Sequence, residues 1–393
     1  MVTVSSDAIA HPGKDKMMTQ PMMTSAAGTD RRVALVAGAT RGAGRAIAVS
    51  LARAGLFVYA TGRSSRASGR SEIGRPETIE ETGDLICAAG GAGAALVVDH
   101  ENPVSVAELL RTIEREHGRL DVLVNDIFGG DRYAEWDKPL WEHDWPGGLR
   151  MLQMGVHTHL ITASAAIPLM LRTAAACRTH GLIIEMTDGT SAANAEFRRN
   201  VGFYYDLVKA NVERIVKGLT AELSDHPMTA VGVTPGWLRS EQMLENFGVT
   251  ENTWRDACVK TPGFAISESP AYVASGVAAL ALEADADRWA GTIISARQLA
   301  DAASAAGRPL TVWSADGPAH WNPLAAGNAT ELKDKLIATE RFTEPHYRRA
   351  VTLSSCCSPT RLTPGSPIIR ERAEVPPGWA RRAERPSLLY PVT

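Results

Sequence analysis

A chain of 393 residues, 45% hydrophobic and 22% charged, is long and apolar enough to bury a sizeable core, and one large domain with tails is the economical reading. Its 41 basic and 44 acidic side chains leave a net charge of −3, which gives no electrostatic footing for nucleic acid or an anionic membrane and points to small-molecule partners. The five cysteines, at positions 87, 177, 258, 356 and 357, form no CxxC pair and no cluster with histidine, so neither a metal site nor a disulfide framework is expected and a reducing cytosol fits.

Residues 1–30 lack the continuous apolar core of a secretion signal and read as a disordered leader, and the methionines at 17, 18, 22 and 23 leave a later start open. No later stretch reads as a membrane span, which fits a cytoplasmic location. From residue 33 the sequence alternates short β-branched runs with helical stretches, the pattern of βαβ units and a parallel sheet. "RVALVAG" (32–38) is the first predicted strand and "GRAIAVSLARAG" (44–55) the helix after it; "LFVYATG" (56–62) is the second strand. A polar loop then leads to a helix near 77–89, with Pro76 suited to its first turn. Four further strands are predicted at 94–100, 120–126, 181–187 and 229–236, so the expected fold is a Rossmann-type, doubly wound parallel sheet of six or seven strands over residues 31–305. Beyond about 305 the alternation fails, and residues 306–393, rich in proline and arginine, read as a largely disordered tail.

Strand one runs into "AGATRGAGRAI", which places Gly38, Gly42 and Gly44 between a buried strand and a helix N-terminus. Glycines there allow a sharp turn and close approach to a ligand, and the free N–H groups of the helix favour a pyrophosphate. Taken alone, such a turn also serves a flavin or S-adenosylmethionine. The GxxxGxG spacing, however, resembles the cofactor loop of short-chain dehydrogenases/reductases, and other landmarks follow in order. Asp99 in "VVDH" resembles the family's adenine-contacting aspartate, and "VLVNDIFGG" resembles its NNAG segment, with Asn125 at the first position. "TPGWLRS" resembles the turn that covers the nicotinamide, with Pro235 and Gly236 in place and Ser240 where a cofactor-contacting threonine is common. The resemblance implies a nicotinamide cofactor. The acid that family members use to hold the ribose of NAD is absent after strand two; Arg63 stands in that region and Arg41 inside the loop, so NADP(H) is expected.

Tyr205 and Lys209, at i and i+4, project from one face of a helix whose apolar positions include Val208, Val212 and Val216. A nearby ammonium lowers a phenol's pKa toward a range useful for proton transfer. By resemblance, Tyr205 is the general acid/base and Lys209 its partner, which also binds the nicotinamide ribose. Two family positions depart from the pattern. The catalytic serine falls on Asp188, with Tyr205 seventeen residues on where about thirteen is usual, as an inserted loop would produce. Thr187, Thr190 and Ser191 are the hydroxyls available to polarise a substrate, and Thr187 is preferred. The helix asparagine that supports a proton-relay water falls on Gly155, and the nearby His157 and His159 read as surface structural residues.

Phe128, Trp136, Trp141 and Trp145, with Trp237, Leu238, Met243, Phe247 and Trp254, imply an apolar carbonyl or alcohol substrate. The expected activity is NADP(H)-dependent interconversion of a carbonyl and a secondary alcohol. The alternatives are a non-catalytic or regulatory protein that kept the cofactor pocket, and a Rossmann-like methyltransferase, which leaves Arg63 and the Tyr/Lys pair without a role. A homo-oligomer built on helices near 147–175 and 204–223 is implied by the resemblance only.

Overall fold

The computed structural model describes residues 31–307 apart from 262, 263, 265 and 266, so the leader and all but the first two residues of the tail lie outside the described residues. Strands β1 (Val33–Ala37), β2 (Phe57–Gly62), β3 (Ala92–Val97), β4 (Val122–Asn125), β5 (Gly181–Met186), β6 (Met228–Thr234) and β7 (Ile293–Ser295) form one sheet in the order β3-β2-β1-β4-β5-β6-β7. Every neighbouring pair is parallel. β7 has no counterpart among the strands assigned from the sequence, because three residues carry no readable periodicity.

The helices are α1 (Gly42–Arg53), α2 (Ile79–Ala88), α3 (Pro103–His117), α4 (Trp145–Leu152), α5 (Thr158–Cys177), α6 (Ser191–Asn194), α7 (Phe203–Glu222), α8 (Glu241–Phe247), α9 (Pro270–Ala281) and α10 (Ala296–Ala305). The pleat of β1 explains the three layers. Ala34 and Val36 face Ile47 and Leu51 of α1 and Val273 and Val277 of α9. Val33 and Leu35 face the opposite way, onto Val106, Leu109 and Ile113 of α3 and Ala166 and Leu169 of α5. With both faces covered, β1 and β6 are buried along their whole length, as parallel strands generally are.

Local chemistry shifts some boundaries. α2 has Thr78 at its N-cap, whose N–H donates to Glu81 Oε2 at 3.3 Å, so Pro76 precedes the cap instead of opening the first turn. Asp99 lies beyond the end of β3, not on it. One further expectation is corrected: the helical run Trp145–Cys177, 33 residues with mean hydropathy 1.5 over its most apolar window, is long and apolar enough to cross a membrane by length and composition. In this fold Ala163, Ala166, Leu169 and Met170 of that run pack beneath the sheet, which accounts for their apolar character.

Candidate active site

The chain leaves β1 and β4, which are adjacent, toward opposite sides of the sheet, and a crevice forms beyond their carboxyl ends. Gly38 turns there at φ +91°, and a Cβ on it would lie 2.6 Å from the carbonyl carbon of Asp126, so only glycine lets the loop cross the end of β4. α1 then begins at Gly42 without a side-chain cap. The Gly42 N–H instead donates to both carboxylate oxygens of Glu241, at 3.0 and 3.2 Å, from α8 across the crevice. A carboxylate on the first free N–H of this helix shows that the loop accepts an anion, so the residues present fit the diphosphate of a dinucleotide.

Gly38, Arg41, Arg63 and Asp99 line one cavity at this end, together with Ser64, Arg75 and His100, which the sequence reading did not single out. Four arginines punctuate the loop from 63 to 75, and nothing in the sequence selects the one at 75. Each guanidinium in the cavity already has a carboxylate partner. Arg63 bonds Glu101 at 2.9 Å and approaches Glu72 at 3.9 Å, Arg41 lies 3.9 Å from Asp131, and Arg75 pairs with Glu77 and with Glu245 of α8. Asn125, Pro235, Gly236, Tyr205 and Lys209 lie outside this cavity's lining, nearer the middle of the sheet edge. Ser240 caps α8, accepting from the Met243 N–H at 3.3 Å, so its hydroxyl serves the cap.

Tyr205 and Lys209 share a face of α7, as their spacing predicts. Both are surrounded by protein on most sides yet keep some solvent access, as groups lining a cleft do. The Lys209 Nζ sits 3.7 Å from the centroid of the Phe128 ring and 5.6 Å from that of Tyr205. Phe128 meets Tyr205 edge-on at 5.7 Å and Trp136 tilts against it at 5.6 Å, so aromatic packing fixes the ring. Burial lowers the pKa of Lys209. Tyr205 departs from expectation: burial and the negative charge of Asp188 push its pKa well above the usual range instead of lowering it. Asp188 is in turn held by Arg198, whose Nη1 lies 2.7 Å from it while the Arg198 Nε bonds Asp206 at 2.7 Å. Thr187, the preferred hydroxyl, donates its proton to the Lys209 carbonyl at 2.9 Å, which removes it from the role of a free donor to substrate. Thr190 and Ser191 are exposed.

Residues 32–251, from the first strand through α8, match the short chain dehydrogenase family. The chain belongs to this family. Mouse dehydrogenase/reductase SDR family member 1 is 29% identical over 274 residues, which cover 68% of this chain and 80% of the relative. A 3-oxoacyl-acyl-carrier-protein reductase of Pseudomonas aeruginosa is 28% identical over 253 residues, 62% of this chain and 92% of the relative. The crystal structure of a variant actinorhodin polyketide ketoreductase with NADPH superposes with a TM-score of 0.54 at 22% identity, covering 69% of this chain and 97% of the other, which shows a shared fold.

As a short-chain dehydrogenase the chain is unusual around the sheet edge. A Cβ on Gly155 would lie 2.6 Å from Val208 Cγ1 and 3.1 Å from the Phe128 ring, so no asparagine fits at the position where the family carries one. His159 is not on the surface. It is buried with Nδ1 2.5 Å from Glu185 and Nε2 3.0 Å from the Ile127 carbonyl, and Glu185, near the carboxyl end of β5, also accepts from Asn125 Nδ2 at 2.8 Å. An acid within "GLIIEMT", otherwise a buried strand, was the available signal for this network. His100 is a second buried histidine, bonded on either side to Thr61 and Thr162 at 2.8 Å, and burial drives its pKa down to about 3, so it stays neutral.

The aromatic residues divide by role. Trp254 and Phe264 form a small separate core with Trp237, Met243 and Phe247, anchored by Arg239, which pairs with Glu251 at 2.7 Å and stacks on Trp254. These side chains hold the covering segment together. Only Phe128 and Trp136 of the group adjoin Tyr205, while Trp141 and Trp145 are exposed, so the aromatic argument for an apolar substrate narrows to two residues.

Proposed function

We propose that this short-chain dehydrogenase is an NADP(H)-dependent oxidoreductase that interconverts a carbonyl and a secondary alcohol, with Tyr205 as general acid/base. The observation that carries the reading is the placement of Tyr205 and Lys209 together on α7, packed on Phe128 three residues after Asn125, at the carboxyl edge of the sheet next to a loop that accepts an anion. The bound nicotinamide supplies or takes a hydride. The protein's part is to hold and move a proton at the Tyr205 oxygen and to bind the cofactor through the glycine-loop N–H groups, Asn125, and the turn at Pro235 and Gly236. Arg41, Arg63 and Arg75 supply the positive charge that a 2′-phosphate requires. The NADPH named with the actinorhodin ketoreductase supports the same cofactor here. A homo-oligomer built on α4, α5 and α7 is part of the proposal, supported by the exposed Trp145, Leu149, Leu160 and Leu207 on those helices.

Incubation with NADPH and a panel of aldehydes, ketones and quinones, followed by the absorbance of reduced nicotinamide, is expected to show turnover. Binding of NADPH without turnover of any carbonyl would contradict the assignment. In the same assay Arg63→Asp is expected to move the preference from NADPH toward NADH, about 10-fold or more in kcat/KM, because each carboxylate–phosphate repulsion replaces a charge-assisted hydrogen bond. An unchanged preference removes Arg63 from the 2′-phosphate site and leaves Arg75 and Arg41.

Glu241 competes with the cofactor in this arrangement, since its carboxylate holds the Gly42 N–H. Glu241→Gln, which weakens that contact and removes one negative charge from the anion site, is expected to lower the Kd for NADPH severalfold in a fluorescence titration. Weaker binding would mean that Glu241 helps to hold the cofactor.

A further inference from the structure

α8 reaches the cofactor end of the sheet through two carboxylates one helical turn apart. Glu241 accepts from the Gly42 N–H at 3.0 and 3.2 Å, and Glu245 accepts from both Nη atoms of Arg75, with Nη2 at 3.0 Å. At i and i+4 the two acids leave one face of the helix, with Cβ atoms about 5–6 Å apart. The opposite side, through Met243, Leu244 and Phe247, packs on the small core of Trp254 and Phe264, and no residue of α8 is fully buried.

Arg75 lines the same cavity as Arg41 and Arg63, and its guanidinium is divided between two acids. Glu77 takes one side, accepting from Nε at 3.1 Å and from Nη2 at 2.5 Å, while Glu245 takes the Nη1–Nη2 edge. The Glu77 side chain is 10% exposed and that of Glu245 is 62% exposed. Glu77 is therefore the fixed support of the guanidinium and Glu245 the partner that exchanges, since so exposed an ion pair contributes little. Without Glu245, the Nη1–Nη2 edge is a two-pronged donor already oriented for a phosphate. Arg41 and Arg63 differ, because their partners Asp131 and Glu101 belong to the loops that leave β4 and β3 and not to the covering segment.

From this geometry we infer that Glu241 and Glu245 stand in the places of the two phosphate groups on the adenosine half of NADP(H), and that Arg75 is the specificity-determining residue that receives the 2′-phosphate. The inference rests on the NADP(H) reading above. The 5′-diphosphate takes the Gly42 N–H from Glu241, and the 2′-phosphate takes the Nη1–Nη2 edge of Arg75 from Glu245. One ribose separates the two phosphate groups, as one helical turn separates the two acids. NAD(H) presents a neutral 2′-hydroxyl, which does not displace a carboxylate from a guanidinium. It therefore leaves the second tie in place, and the phosphorylated cofactor alone releases α8 at both points. No covalent bond changes in this exchange of one anion for another.

The test needs no turnover: full-length protein is titrated calorimetrically with adenosine 2′-monophosphate and with adenosine 5′-diphosphate, each carrying one of the two phosphate groups. Glu245→Gln is expected to tighten the 2′-monophosphate about threefold more than the 5′-diphosphate, and Glu241→Gln to do the reverse, the size of an exposed ion pair removed from competition. A gain of affinity does not arise from misfolding. Arg75→Gln is expected to weaken the 2′-monophosphate about 10-fold or more without weakening the 5′-diphosphate, and to raise the Kd for NADPH but not for NADH. In the Arg75→Gln background, Glu245→Gln should bring no further gain for the 2′-monophosphate, because the competition between Glu245 and the phosphate is for Arg75. Equal gains for both nucleotides in each glutamate variant, or no gain in either, overturn the inference. So does an Arg75→Gln protein that binds the 2′-monophosphate like the wild type. Wild-type protein that still binds NADPH more tightly than NADH then keeps the cofactor reading intact, whereas a wild type without that preference overturns the reading and the inference with it.

Discussion

Replacing Tyr205 with phenylalanine is expected to lower kcat for NADPH-dependent carbonyl reduction by about 10²–10⁴-fold, the usual contribution of a positioned acid/base group, while the Kd for NADPH stays within about twofold of wild type. Only one oxygen is removed. The ring remains packed between Phe128 and Trp136, and Asp188 keeps its ion pair with Arg198, so neither the pocket wall nor the local charge balance collapses. Steady-state kinetics with a substrate found in the panel, alongside an equilibrium NADPH titration, make the comparison. A variant that keeps wild-type kcat places the proton transfer elsewhere, whereas a variant that loses NADPH binding shows that the hydroxyl supports the cofactor cradle.

Elements whose signal is local were legible in the sequence. The glycine loop, the strand runs and the i, i+4 placement of Tyr205 and Lys209 each follow from spacing, and each appears as expected. What spacing does not encode is which polar groups meet across the sheet edge. Glu241 lies 199 residues from Gly42 and bonds its N–H. Glu245 lies 170 residues from Arg75 and shares its charge with Glu77. The direction of the Tyr205 shift is hidden for the same reason: Lys209 is visible as a helical neighbour, but its ammonium settles over Phe128, while burial and the negative charge of Asp188 raise the phenol's pKa. Thr187 reads as an available hydroxyl until the fold places the Lys209 carbonyl 2.9 Å from it. His159 reads as a surface residue until β5 brings Glu185 against it.

That buried pair carries the largest stability effect expected of any single site. Glu185 is fully buried near the carboxyl end of β5 and accepts from Asn125 Nδ2 at 2.8 Å through one oxygen, with His159 Nδ1 2.5 Å from the other. Glu185→Ala leaves His159 Nδ1 and Asn125 Nδ2 without their partner in a buried layer between two strands and a helix, and is expected to cost about 3–5 kcal/mol in urea denaturation, as breaking a buried pair generally does. The damage also reaches the site. His159 holds the Ile127 carbonyl at 3.0 Å, and Ile127 precedes the Phe128 on which Lys209 and Tyr205 rest. Loosening that segment should therefore weaken NADPH binding along with stability. Glu185→Gln separates charge from hydrogen bonding. Its amide oxygen still accepts from Asn125, and its N–H donates to a neutral His159 ring whose Nε2–H continues to face Ile127. A cost of about 1 kcal/mol is therefore expected, within the range of a single buried hydrogen bond. If glutamine proves as damaging as alanine, the network depends on the charge pair itself and not on satisfied donors and acceptors; if both are harmless, the end of β4 is held by its strand pairing alone.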